Sequence, residues 1–148
     1  MDRRSLREGR NLENTDDTPY GPIVCPLNVR GLDGSAMQIS IAHPYAFMRT
    51  VANLFSSFNA FWKSRLDEFV SSPEKPWRLI VYTDEITPGN ALSCSNMRKC
   101  LCIYYSFLEF GISALSSEHA WFTMMCEYSH VIAKVSAGHI MLPYLFHS

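Results

Sequence analysis

The chain has 148 residues, of which 47% are hydrophobic, 13% aromatic and 18% charged; this composition is that of a globular protein and excludes global disorder. Thirteen basic residues against fourteen acidic ones leave a net charge of -1, so no global field draws the chain to nucleic acid or to an anionic membrane. A chain of this length buries roughly 70% of its unfolded surface in one core, and it contains no run of about 18 apolar residues able to cross a bilayer.

Met1 to Pro22 alternates charges with Asn, Thr and Gly and has almost nothing to bury, so it reads as a flexible charged arm, with residues 23–148 as a single globular domain. The arm carries Arg3, Arg4, Arg7 and Arg10, but Glu8, Glu13, Asp16 and Asp17 neutralise them. Its charged start lacks the apolar run of a secretory signal, which makes an intracellular location the expectation, nucleus or cytoplasm undistinguished. The five cysteines, Cys25, Cys94, Cys100, Cys102 and Cys126, then read as reduced and mostly buried thiols.

Ile23 to Leu27 and Ala36 to Ile41 look extended, and Gly31-Leu-Asp-Gly34 supplies a tight turn between them. Met37, Ile39 and Ile41 alternate with Gln38 and Ser40, as in a hairpin with one buried face. His43-Pro44 opens a long helical pattern in which Phe47, Val51, Leu54, Phe55, Phe58, Phe61, Trp62, Leu66, Phe69 and Val70 form one apolar stripe for packing on a sheet. A break is foreseen near Ser56-Ser57, and Pro73 and Pro76 end the pattern.

Three runs of strand character follow. Trp77 to Thr83 is nearly continuously apolar, the mark of a strand covered on both faces. Cys100 to Leu108 is rich in aromatic and β-branched residues, and Ala120 to Tyr128 is read as the third strand. Glu109-Phe-Gly111 supplies a turn, Ser116 or Ser117 caps a short helical turn, and Ser129 is the expected N-cap of a helix over 129–137. The fold class is therefore α+β or α/β, a mixed sheet containing a three-strand meander with helices packed on it.

The first of these strands delivers Asp84 and Glu85 into a Pro88-Gly89-Asn90 turn. A carboxylate at a strand end is well placed for catalysis, and carboxylates converging from different elements hold Mg2+ or Mn2+ for phosphoryl transfer. Asp84 is the candidate catalytic residue and first metal ligand. Glu127 is the partner that a meander could bring to the same edge, because its first and third strands run parallel, whereas Glu109 falls at the other edge. The competing reading has Asp84 accepting hydrogen bonds from the amides of its own turn. Arg98 and Lys99, just before the second strand, are the candidate nucleic-acid contacts, against a solvated pair of charges. Cys100 and Cys102 share a strand face, and with Cys94, Cys126, His119 and His130 they suggest zinc, without the paired spacing such a site needs.

The blocks Pro76-Trp-Arg-Leu-Ile-Val-Tyr-Thr-Asp-Glu-Ile-Thr-Pro-Gly-Asn-Ala-Leu92, Arg98-Lys99 and Tyr104-Tyr-Ser-Phe-Leu-Glu-Phe-Gly111 resemble those of a large set of repeated, uncharacterised dinoflagellate proteins, over roughly residues 32–138. More distantly, the order of apolar strand, acidic pair, Gly-Asn-x-Leu, Lys and a Tyr in the next strand is similar to the opening of RNase H-like cores in transposase-derived proteins. That resemblance implies a truncated RNase H-like half-domain with Asp84 at the first metal-binding position, and a mobile-element origin. The later acidic ligands of such a core fall beyond the tail after Gly138, so the implied function is that of a catalytically inactive remnant, with Mg2+ or Mn2+ bound only where the carboxylate site is intact. The alternatives are a non-enzymatic interaction module, using an exposed sheet edge to meet a protein partner, and a small nucleic-acid-binding protein.

Overall fold

Asp17–Thr18 (β1) and Gly21–Pro22 (β2) pair antiparallel in the computed structural model of the protein, which describes residues 17–87 and 98–135. Gly21 takes φ 93°, a conformation that favours glycine, while Thr18 Oγ1 donates to the Gly21 carbonyl at 2.9 Å. This short hairpin falls at the end of the expected arm, and the Tyr20 ring lies 5.8 Å from that of Tyr45. The rest of the arm, the Pro88-Gly89-Asn90 turn, Cys94 and everything from residue 136 onward lie outside the described residues.

Val24–Arg30 (β3) and Ala36–Ala42 (β4) form the expected hairpin, with Ile39 and Ile41 buried and Gln38 and Ser40 exposed. Its turn is closed by Gly34 at φ 84° and by the Asp33 carboxylate, which accepts from the Ser35 amide at 2.9 Å and hydroxyl at 2.6 Å.

Pro44–Leu54 (α1) starts with its proline in the first turn, and His43 Nδ1 accepts from the Ala46 amide at 3.3 Å as N-cap. Ser56–Glu68 (α2) follows after a break at Phe55, whose φ of -118° and ψ of 98° interrupt the helix just ahead of the serines where the break was foreseen. This bend corrects the single buried stripe. Ala46 and Met48 are buried, and Phe58, Phe61 and Trp62 pack on the core, but Leu54, Phe55, Leu66, Phe69 and Val70 are exposed because the two helix faces no longer align.

Leu79–Ile86 (β5), Cys100–Phe107 (β6) and Phe122–Tyr128 (β7) form an antiparallel meander in the order β5-β6-β7, making the protein α+β. Between β6 and β7 run a 3-10 turn at Leu108–Phe110, the short helix Ile112–Leu115 (α3) and a second 3-10 turn at Glu118–Ala120, where Ser117 Oγ accepts from the His119 amide. Ser129–Ile132 (α4) is only one turn long, and Tyr128 is its N-cap residue. Ser129 therefore lies inside that turn rather than capping it, with its hydroxyl buried and without a hydrogen bond among the described residues.

One face of the meander is the core face. Tyr105, Ile103, Phe122 and Met125 pack there with Phe110, the helices and the hairpin, whose β4 lies beside β7 without hydrogen-bonding into its sheet. Phe122 stacks on Tyr105 at 5.2 Å and meets Phe58 edge-on at 5.6 Å. The central strand β6 is well covered, but β5, expected to be buried on both faces, is an edge strand with Leu79, Tyr82 and Ile86 exposed. It pairs with β6 alone among the described strands, and on its open face the Trp121 ring reaches Tyr82. No helix among the described residues is long and apolar enough to cross a membrane.

Candidate functional site

Register decides which side chains meet. Directly opposed residues of an antiparallel pair share a face, and neighbours along a strand alternate. Tyr82 opposes Tyr104, which opposes Thr123; Asp84 opposes Cys102, which opposes Cys126. A bulge at Met124, where the β6–β7 register shifts between Ile103 and Tyr104, keeps Thr123 and Cys126 on one face although three positions separate them. These two rows form the open face of the sheet.

Asp84 and Glu85 lie within β5 rather than in the turn after it, so they point to opposite faces. Glu127 opposes Leu101, which opposes Glu85, and it therefore belongs to the face away from Asp84. β5 and β7 do run parallel to each other, but the expected pairing of Asp84 with Glu127 at one metal is not brought together. They stand on opposite faces with a whole strand between them, a lateral gap of about 9.5 Å from two strand spacings. No group of three or more His, Cys, Asp and Glu among the described residues is arranged to hold a metal, so neither the carboxylate nor the zinc constellation forms there. The described residues do not fit a two-metal site, and no chemical step follows from one.

Of the two basic candidates, Lys99 is engaged. Its Nζ donates to Glu85 Oε2 at 2.9 Å, and this bond holds the Glu85 carboxyl below its ordinary range. Arg98 is exposed next to it. Glu109, placed by the sequence at the far edge, is there as a structural carboxylate buried against Arg78.

What the open face does assemble is a depression of about 610 Å³ lined by Tyr82, Asp84, Tyr104, Glu118, Trp121 and Thr123. Its size is that of a small-ligand site, roughly 300–1,000 Å³. Tyr82 stacks on Tyr104 with ring centroids 6.2 Å apart, and Trp121 meets Tyr82 edge-on at 6.1 Å. The indole is fixed in place because Trp121 Nε1 donates to the Leu115 carbonyl at 3.0 Å. Tyr104 stays a neutral phenol: hydrogen bonding to the Cys102 thiol, then burial, then the neighbouring Cys102, Cys126 and Asp84 side chains push it up to about 12. The ion pairs among the described residues are Arg65–Glu68, Arg78–Glu109 and Lys99–Glu85, so Asp84 and Glu118 face the depression without a cationic partner there.

Sequence reasoning missed Tyr82, Tyr104, Glu118, Trp121 and Thr123 as site residues. Tyr82 stands two positions before Asp84, a spacing that puts both on one strand face, and that signal could have been read. Nothing in the sequence announces that Glu118 and Trp121, from the connection into β7, close the same depression. Compared with protein-family models, curated proteins and solved structures, the chain matches none of them.

Proposed function

We propose that the chain is a non-enzymatic interaction module that holds a cationic side chain of a partner protein, a lysine or its methylated form, on the open face of the meander. The observation that carries this reading is the grouping of three aromatic rings, Tyr82, Tyr104 and Trp121, with two carboxylates free of described ion pairs, Asp84 and Glu118. An ammonium group over an aromatic face gains about 0.5–2 kcal/mol, and nearby carboxylates add Coulomb attraction. Beside the depression, the side of β5 that no described strand pairs offers backbone donors and acceptors to an extended partner segment.

In this reading the module descends from a mobile-element-derived, RNase H-like protein and no longer turns over substrate. The sequence resemblance supports the ancestry, and the separation of Asp84 from Glu127 supports the loss of activity. The nucleic-acid alternative has less support, because Lys99 is held by Glu85 and only Arg98 remains available among the two candidates.

The test is an NMR titration with tetramethylammonium and with a trimethyllysine peptide. Saturable shifts of the Trp121 indole N–H and the Tyr82 and Tyr104 rings, in the millimolar range for the free ion and lost in Trp121→Ala, are expected. Shifts that do not saturate, or that leave these rings unmoved, rule the reading out.

A further inference from the structure

Beside the aromatic depression the same face carries a feature that the binding reading does not use. Cys102 and Cys126 oppose each other in neighbouring strands, and their Sγ atoms are 3.1 Å apart. We propose that this pair is a redox-sensitive modification site, forming a reversible cross-strand disulfide between β6 and β7 on reaction with a small-molecule disulfide of the glutathione class.

The backbone already has the required geometry. Opposed residues of an antiparallel pair have Cα atoms about 4.5 or 5.5 Å apart, within the roughly 4.4–6.8 Å span that a disulfide bridges. The sulfurs need to close by only about 1 Å to reach bonding distance near 2.05 Å, a shift that side-chain rotation supplies. The two thiols also differ in access, as two-step exchange requires. Cys126 lies on the exposed side of β7, while Cys102 is buried at 2% exposure.

Cys126, as thiolate, attacks one sulfur of the small disulfide, and one small thiol leaves with the electron pair of the broken S–S bond. Cys102 then loses its proton and attacks Cys126 Sγ in the mixed disulfide, expelling the second small thiol. The protein loses two protons and two electrons, and the small disulfide takes them up in becoming two thiols.

The surroundings decide the character of this site. Burial, followed by the neighbouring Cys102 and Cys100 thiols, pushes the Cys126 thiol up to about 12, and no neighbouring cation offsets them. A reduced form whose thiolate is not stabilised gives little preference to the dithiol, so the disulfide persists once made, while its formation at neutral pH is slow. Among the described cysteines Cys100 is the nearest competitor, but it opposes Tyr128 and reaches Cys126 only diagonally; Cys25 opposes Ile41 in the separate hairpin.

The full chain is equilibrated in glutathione buffers from fully reduced to fully oxidised, quenched with N-ethylmaleimide and mapped by non-reducing proteolysis and mass spectrometry. A crosslinked peptide pair joining Cys102 to Cys126, reversed by dithiothreitol and kept in Cys100→Ser, is the expected result, with Tm raised by roughly 5–15 °C on oxidation. The crosslink should vanish in Cys126→Ser, an exposed position whose fold is checked by the unchanged Tm of its reduced form. Both thiols remaining alkylated in fully oxidised buffer, or Cys126 joined instead to Cys100 or to a second chain, overturns the proposal.

Discussion

The Glu109 carboxylate accepts two hydrogen bonds from one residue, the Arg78 amide at 2.9 Å and the Arg78 Nε at 3.0 Å. Its own carbonyl accepts from Arg65 Nε at 2.7 Å, so Glu109 ties the end of β6 to the approach of β5 and to α2. Burial works to raise its pKa, but the bonds from Arg78 outweigh burial and hold the carboxyl below its ordinary range. A depressed folded pKa contributes stability above the unfolded value, near 4.3, and that contribution is lost as pH falls through the folded value. Glu109→Gln is therefore expected to be less stable than wild type by about 1–2 kcal/mol at pH 7 and to show a smaller loss on acidification below roughly pH 5. Urea denaturation of both proteins at pH 7 and pH 4 measures this.

Phe122 is 3% exposed and touches the rings of Phe47, Phe58 and Tyr105. Removing it opens a cavity among rigid rings that cannot collapse freely, so Phe122→Ala is expected to cost about 3–5 kcal/mol in urea denaturation. A cost below about 1 kcal/mol contradicts its place at the centre of the core.

Gly111 has φ 85° and ψ 157°, a region open essentially to glycine alone. A Cβ there would meet nothing closer than Arg65 Nη2 at 3.7 Å, so strain rather than collision sets the penalty. Gly111→Ala should lower stability by about 1–3 kcal/mol while leaving the far-UV spectrum of the folded protein unchanged.

The opposite faces of Asp84 and Glu127 predict different phenotypes. Asp84→Asn should weaken trimethyllysine binding several-fold and Glu127→Gln should leave it unchanged, as read by the same NMR titration. Calorimetry with Mg2+ or Mn2+ should show no site that both substitutions abolish. A saturable heat lost in each variant would mean that the two carboxylates share an ion after all.

Local pattern determined much of this protein. The period-two alternation of Met37, Ile39 and Ile41, the proline opening α1, and the aromatic and β-branched run of β6 each set their own element through sterics and capping that act within a few residues. Those signals carried the α+β class and the three-strand meander. Tertiary structure decided the rest. Whether an apolar run such as Leu79 to Tyr82 is buried on both faces depends on what packs around it, and here β5 has β6 as its one described neighbour and leaves Leu79 and Tyr82 exposed. Asp84 joins Cys102 and Cys126 rather than Glu127 because register fixes every side chain's face, and a shift of one residue would exchange them all. The grouping of Trp121 and Glu118 with Tyr82, and the pairing of Cys102 with Cys126, join residues far apart in the chain, and only the folded sheet sets those distances.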